Sequence, residues 1–192
     1  AEAKFESTFP GKEYYDKQVF QRELEKIWFK TWLCAGREEE IPNHGDYLTV
    51  QIAHENFVVM REKNGNVNAF YNVCRHRGSR LCKSETGHFS RGQIICPYHS
   101  WMYSGDTGEL VKAPNVPEDE EFSLSDHSLV QVRAEAWDGF IWINVDPKAP
   151  SLKESFRLPE SWSIYKKYQL ENLKIGKKKS YLVHANWKLI ME

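Results

Sequence analysis

The chain has few cysteines, no long apolar run and no excess of either charge, and each shortage removes a class of function. Four cysteines, Cys34, Cys74, Cys82 and Cys96, in 192 residues are too few for a disulfide scaffold. Reduced thiols and a cytoplasmic location are the simplest expectation. No apolar stretch approaches the roughly 18–20 residues that span a bilayer, and residues 1–5 lack the apolar run of a signal peptide. Lys and Arg total 26 against 27 Asp and Glu, a net charge of −1, so nothing points to nucleic acid or an anionic membrane as partner. Internal repeats and low-complexity tracts are missing too. Aromatic residues are abundant, with 7 Trp, 9 Tyr and 10 Phe, enough for a large buried core.

Periodicity divides the chain. Asp16 reads as an N-cap, and Phe20, Leu24, Ile27 and Trp28 then fall on one face of an amphipathic helix. From about residue 31 to residue 146 the pattern becomes that of strands. Residues 47–52 alternate with period two. Residues 57–60 and 67–71 flank Asn64-Gly65, and residues 129–136 and 140–145 flank Asp138-Gly139, so two hairpins are expected. Short strands with frequent turns indicate a mainly β, antiparallel sandwich or barrel. Residues 146–172 are interrupted by proline, Tyr181-Leu182-Val183 could add a last strand, and residues 186–192 read as the opening of a helix. The expected division is 1–40 as an N-terminal helical segment, 41–146 as the β domain, and 147–192 as a linker into whatever follows.

Chemistry concentrates in two short runs. Cys74-Arg75-His76 and Cys96-Pro97-Tyr98-His99 are separated by 19 residues, and each follows a strand signal. Gly78 and Pro97 suit the tight turns such spacings need. Two sulfurs and two imidazole nitrogens can close on a structural zinc ion, or on a [2Fe–2S] cluster in which histidines hold one iron. Arg75, Arg77 and Arg80 crowd the first run and would favour a reduced cluster. The other candidates have plainer readings. Cys34 reads as a buried core thiol and Cys82 as an inert thiol near the candidate ligands. His44, His54, His88, His127 and His184 lack partners at ligand spacing, Lys177-Lys178-Lys179 reads as a solvated turn, and Trp137, Phe140 and Trp142 read as core.

The run Cys74-Arg75-His76-Arg77-Gly78, with Cys96-Pro97-Tyr98-His99-Ser100-Trp101 and the later Tyr103, Asp106 and Gly108-Glu109-Leu110, resembles the α subunits of Rieske non-haem iron oxygenases of the ring-hydroxylating type. The likeness runs from the first helix to the last residue. It implies an antiparallel β-sandwich Rieske [2Fe–2S] domain with an N-terminal amphipathic helix and a short C-terminal extension. It also implies that Cys74 and Cys96 ligate one iron and His76 and His99 the other. Ser100 departs from the glycine many members carry. Ser79 and Tyr98 stand where respiratory Rieske proteins have a further cysteine pair, which disfavours that subtype. Residues 74–80 look closer to members acting on small quaternary amines than to the naphthalene type.

The resemblance further implies that Asn186-Trp187-Lys188 opens a catalytic domain. The mononuclear Fe(II) ligands of that domain would follow it, so no catalytic residue is expected within these 192 positions. The chain should therefore pass electrons without hydroxylating anything. The full-length protein would hydroxylate or demethylate a small organic substrate with O2. Its electrons would come from a reductase or ferredoxin, and it would form a trimer-type homo-oligomer. The alternatives are a stand-alone Rieske ferredoxin and a zinc-stabilised interaction module. Because terminal segments of such subunits pack on the catalytic domain, the face bearing Phe20, Leu24, Ile27 and Trp28 is expected either to repack on the β core or to be exposed for self-association.

Overall fold

A computed structural model describes residues 8–116, 122–156 and 160–191. Among the described residues, ten strands form two antiparallel sheets. In chain order they are β1 (Leu33–Arg37), β2 (Asp46–Ile52), β3 (Glu55–Arg61), β4 (Val67–Tyr71), β5 (Thr86–His88), β6 (Gln93–Ile95), β7 (Met102–Ser104), β8 (Leu110–Lys112), β9 (Gln131–Trp137) and β10 (Phe140–Asn144). The larger sheet runs β1-β10-β9-β4-β3-β2-β5 and the smaller β6-β7-β8. β1 belongs to the larger sheet although it lies before residue 41.

β3 sits near the middle of the larger sheet and is apolar on both faces because both are covered. Val58 and Met60 face one core with Phe70, Leu81, Ile94 and Tyr103. Phe57 and Val59 face a second core with Ile41, Leu48, Ala69, Ile141 and Ile143. Both expected hairpins are present. β3 and β4 pair in register across Asn64-Gly65, with Gly65 at φ +89°. β9 and β10 pair across Asp138 and Gly139, at φ +50° and +79°, the two left-handed positions of a type I′ turn.

The helical segments are α1 (Lys12–Tyr15), α2 (Lys17–Glu23), α3 (Leu152–Phe156) and α4 (Lys188–Met191), together with several 3-10 turns. None among the described residues is long and apolar enough to cross a membrane. Asp16 caps α2 as expected, its side chain accepting from the Gln18 amide at 2.8 Å. Leu24–Trp28 then winds as a π-helix. The wider turn rotates the apolar face away from the i, i+4, i+7 spacing. Val19 and Leu24 are buried and Trp28 is half-buried, whereas Phe20 and Ile27 stay exposed. Part of the expected face is thus covered and part is open.

Three other expectations need correction. Cys34 is exposed, not buried. β1 pairs with β10 at the edge of the sheet, and the alternation of the strand sends Leu33 and Ala35 to the second core and Cys34 to the opposite face. Tyr181-Leu182-Val183 forms no strand; 79% and 86% of Tyr181 and Leu182 face solvent, with no neighbouring strand to pair them. Trp137, Phe140 and Trp142 are half-buried, the two tryptophans packing on Phe156 of α3 and Phe140 lying under the Arg37 guanidinium. Glu192, the last position of the expected terminal helix, and residues 1–5 lie outside the described residues.

Candidate metal centre

β4 and β6 each run straight into one of the two Cys/His runs, so the two sheets present them side by side. The two loops are built alike. In the first, Cys74 N donates to Ser79 O at 2.8 Å and Gly78 N donates to Cys74 O at 3.0 Å. In the second, Cys96 N donates to Trp101 O at 2.8 Å and Ser100 N to Cys96 O at 3.0 Å. In both loops the fourth residue after the cysteine is left-handed, Gly78 at φ +69° and Ser100 at +59°. Ser100 therefore adopts the conformation that a glycine would supply without strain.

The loops sort their side chains by depth. Cys74 and Cys96 are each 2% exposed. They lie close enough that Cys96 adds to the rise in the Cys74 pKa, which is caused first by burial. His76 and His99 are half-buried, ring centroids 4.7 Å apart. Desolvation, then the neighbouring His99 and Arg77, lower the His76 pKa, which favours the neutral imidazole a metal needs. His76 stacks on the buried Trp101 at 4.7 Å with 14° between planes, and Tyr98 lies 3.8 Å from the His99 ring. His99 Nδ1 is buried with no hydrogen-bond partner in the protein. A buried, unpaired ring nitrogen costs free energy unless something binds it.

Tyr103 of β7 completes the setting. Arg75 N donates to the Tyr103 hydroxyl at 3.1 Å, and the hydroxyl lies 3.1 Å from Cys74 Sγ, to which it donates once that sulfur is a thiolate. Burial and the nearby Cys74 push the Tyr103 pKa up, so the phenol remains a donor. The sequence places Tyr103 only as a continuation of the motif; the contact spans two sheets and leaves no spacing signal.

The remaining candidates stand apart from the centre. Cys82 is buried beneath the first loop, its pKa pushed up to about 12 by desolvation, which makes it an inert thiol. His88 pairs with Asp46 at 2.8 Å, His44 lies 3.4 Å from Asp106, and His54 lies 3.4 Å from Glu55. His127 stacks on Phe122 and meets the edge of Trp101. Lys178, in the exposed basic run, is ion-paired with Glu40.

Comparison with known proteins agrees with this geometry. Residues 31–133 match the family described as the Rieske [2Fe–2S] domain. The glycine betaine monooxygenase oxygenase subunit of Pseudomonas aeruginosa is 35% identical over 96% of this chain and 42% of its own length. The carnitine monooxygenase oxygenase subunit of Escherichia coli is 34% identical over 96% and 49%. The chain thus spans about half the length of the curated relatives it matches. The crystal structure of a quaternary ammonium Rieske monooxygenase in its apo form superposes with a TM-score of 0.86, at 35% identity, over 96% of this chain and 53% of that one. Paired loops, fold and sequence agree, and the chain belongs to the Rieske [2Fe–2S] domain family.

Proposed function

We propose that Cys74 and Cys96 hold one iron of a [2Fe–2S] cluster and His76 and His99 the other. The observation that carries this is the pair of identically built loops, with thiols at the root and imidazoles at the rim. A closed zinc site needs four donors on one ion, whereas here the two thiols lie buried at the root of the loops and the two imidazoles half-exposed at the rim. A binuclear cluster asks only two protein ligands of each iron. When bound, the cluster supplies one-electron redox chemistry.

The chain's own residues set the terms of that chemistry. Burial of Cys74 and Cys96 keeps water from the sulfurs, and the Tyr103 hydroxyl donates toward Cys74 Sγ. Trp101 fixes the plane of the His76 ring. His76 and His99, nearest the surface, are the shortest way in or out for an electron. Arg75 and Arg77 are exposed beside them and add positive potential.

We further propose that this domain is the electron-transfer part of an oxygenase. The full-length protein would take electrons from a reductase or ferredoxin and use O2 to hydroxylate or demethylate a small organic substrate. The oxygenase subunits it resembles support this over a stand-alone carrier. Their names point to small quaternary ammonium compounds as the substrate class. A mononuclear iron site and a homo-oligomer belong to the same proposal.

The test is reconstitution of the full-length protein with iron and sulfide. About two irons and two sulfides per cluster, a brown colour and an EPR signal on reduction are expected. A colourless protein carrying stoichiometric zinc overturns the cluster assignment. Substrate-dependent O2 consumption with a quaternary amine, in the presence of a reductase, tests the oxygenase reading; reduction of the cluster without oxygenation of any such amine counts against it.

A further inference from the structure

Asn72 lies between β4 and the first ligand loop, and it is 1% exposed. Its side chain replaces a stretch of sheet. Oδ1 accepts from Leu81 N at 3.1 Å and from Cys82 N at 2.7 Å, while Nδ2 donates to Cys82 O at 2.8 Å and to Asn56 Oδ1 at 2.6 Å. One amide therefore ties the residue entering the loop to the two residues leaving it. Beside this tie, the backbone closes at the bridge between Val73 and Arg80, with Cys74 N donating to Ser79 O. The network continues outward through Asn56 Nδ2, which donates to Gln51 Oε1 at 3.0 Å; the same oxygen lies 3.4 Å from Arg80 Nη2. Asn72 to Asn56 to Gln51 to Arg80 thus forms a polar ring that returns to the loop it left. The second ligand loop has its neck inside the β6–β7 pairing and needs no such device.

We infer that Asn72 is a positioning residue for the metal centre, holding the neck of the first loop so that Cys74 and His76 keep their spacing from Cys96 and His99. This rests on the cluster assignment above. A buried amide with every donor and acceptor used is well suited to the task, since any movement of the neck leaves several polar groups unpaired at once. The nearest apolar alternative, packing alone, fixes direction less sharply.

The experiment compares three variants of the full-length protein, loaded with iron and sulfide, by the rate of cluster release to a chelator and by the EPR line positions of the reduced state. Asn72→Ala is expected to release its cluster about tenfold faster, the scale of one or more lost buried hydrogen bonds, and to shift and broaden the EPR lines. Asn56→Ala cuts the ring one step further out, on a half-buried residue, and is expected to accelerate release about threefold. Asn144→Ala is the control. Asn144 is as buried as Asn72 but serves Lys30 O and Asp146 N at the end of β10. It is expected to lower the melting temperature while leaving release and EPR as in the wild type.

The inference is overturned if Asn72→Ala and Asn56→Ala both release at the wild-type rate with unchanged spectra. It is overturned equally if Asn144→Ala, at matched loss of stability, releases as fast as they do. Should Asn72→Ala fail to fold, Asn56→Ala against Asn144→Ala decides. A wild-type protein that takes up no iron–sulfur cluster removes the assignment beneath the inference, and is told apart by the absence of any signal.

Discussion

Ser100 and Gly78 occupy equivalent places in two loops of the same construction, yet only one of them is free to be left-handed without cost. A Cβ on Gly78 would meet nothing within 4 Å, so Gly78→Ala pays conformational strain alone, about 1 kcal/mol. Ser100 already carries that strain at φ +59°. Ser100→Gly is expected to relieve it, less what the unfolded chain gains in freedom. In thermal unfolding, Ser100→Gly should match or exceed the parent and Gly78→Ala should fall below it by roughly 2–4 °C; a Ser100→Gly variant clearly less stable than the parent would mean the hydroxyl does more than fill the turn. Tyr103 carries the second prediction at this scale. Its hydroxyl donates toward Cys74 Sγ, and such a bond strengthens as negative charge gathers on the sulfur. Tyr103→Phe is therefore expected to lower the reduction potential by several tens of mV, given about 59 mV per tenfold change in a one-electron equilibrium. Protein-film voltammetry reads this directly, and an unchanged potential would sever the phenol from the redox couple.

At the scale of elements, α2 depends on its cap. Asp16 satisfies one of the orphan amides of the first turn, and Asp16→Ala is expected to cost about 1 kcal/mol, read as faster amide exchange over residues 17–23 with the sheets unchanged. Uniformly faster exchange throughout would show that the helix and sheets open together. The cap was legible because it is local. The two hairpins were legible for the same reason, since Asn-Gly and Asp-Gly specify their turn within four residues. The paired Cys/His loops were legible because Cys-x-His and Cys-x-x-His spacing is a short-range pattern. What escaped the sequence depends on distant partners or on irregular winding. The π-helix at Leu24–Trp28 inserts one residue into a pattern that assumes 3.6 per turn. Cys34 has apolar neighbours and so reads as buried, but in an edge strand those neighbours, Leu33 and Ala35, take the core face and leave Cys34 on the other. Tyr181-Leu182-Val183 has strand composition and no strand beside it, and composition without a partner makes no sheet. Tyr103 and Asn72 act on the first loop from 29 residues away and across 9 to 16 residues respectively, separations that carry no motif.

At the scale of the whole molecule, the helical segment at residues 17–28 and the segment around residues 186–188 meet at a buried ion pair. Glu23, at the end of α2, accepts from Trp187 Nε1 at 3.0 Å and is paired with Lys188, both charged side chains being about nine-tenths covered. Trp28 meets Trp187 edge-on at 5.2 Å, and Asn186 Nδ2 donates to Tyr14 O at 2.9 Å. The apolar face expected either to repack on the β core or to be exposed instead rests in part, through Trp28, on Trp187, while Phe20 and Ile27 stay exposed. Desolvation acts to raise the Glu23 pKa, but the bonds from Lys188 and Trp187 outweigh it and hold the carboxyl below its ordinary 4.5. A carboxyl that ionises more readily folded than unfolded contributes its full stability above the ordinary value, and loses it as the pH falls through the lowered one. The junction should accordingly open on acidification below the ordinary carboxyl value of 4.5, before the two cores give way, because those are held mainly by apolar packing and the similarly lowered Asp46 sits at the β2–β5 edge. Tryptophan fluorescence, which senses Trp28 and Trp187, should then change ahead of the far-UV signal of the sheets. In Glu23→Gln the early phase should vanish, and Lys188→Ala, which strands a buried carboxylate, should weaken the junction by about 2 kcal/mol at neutral pH. Coincident acid transitions in the parent and in Glu23→Gln would show that the termini are held by something other than this pair.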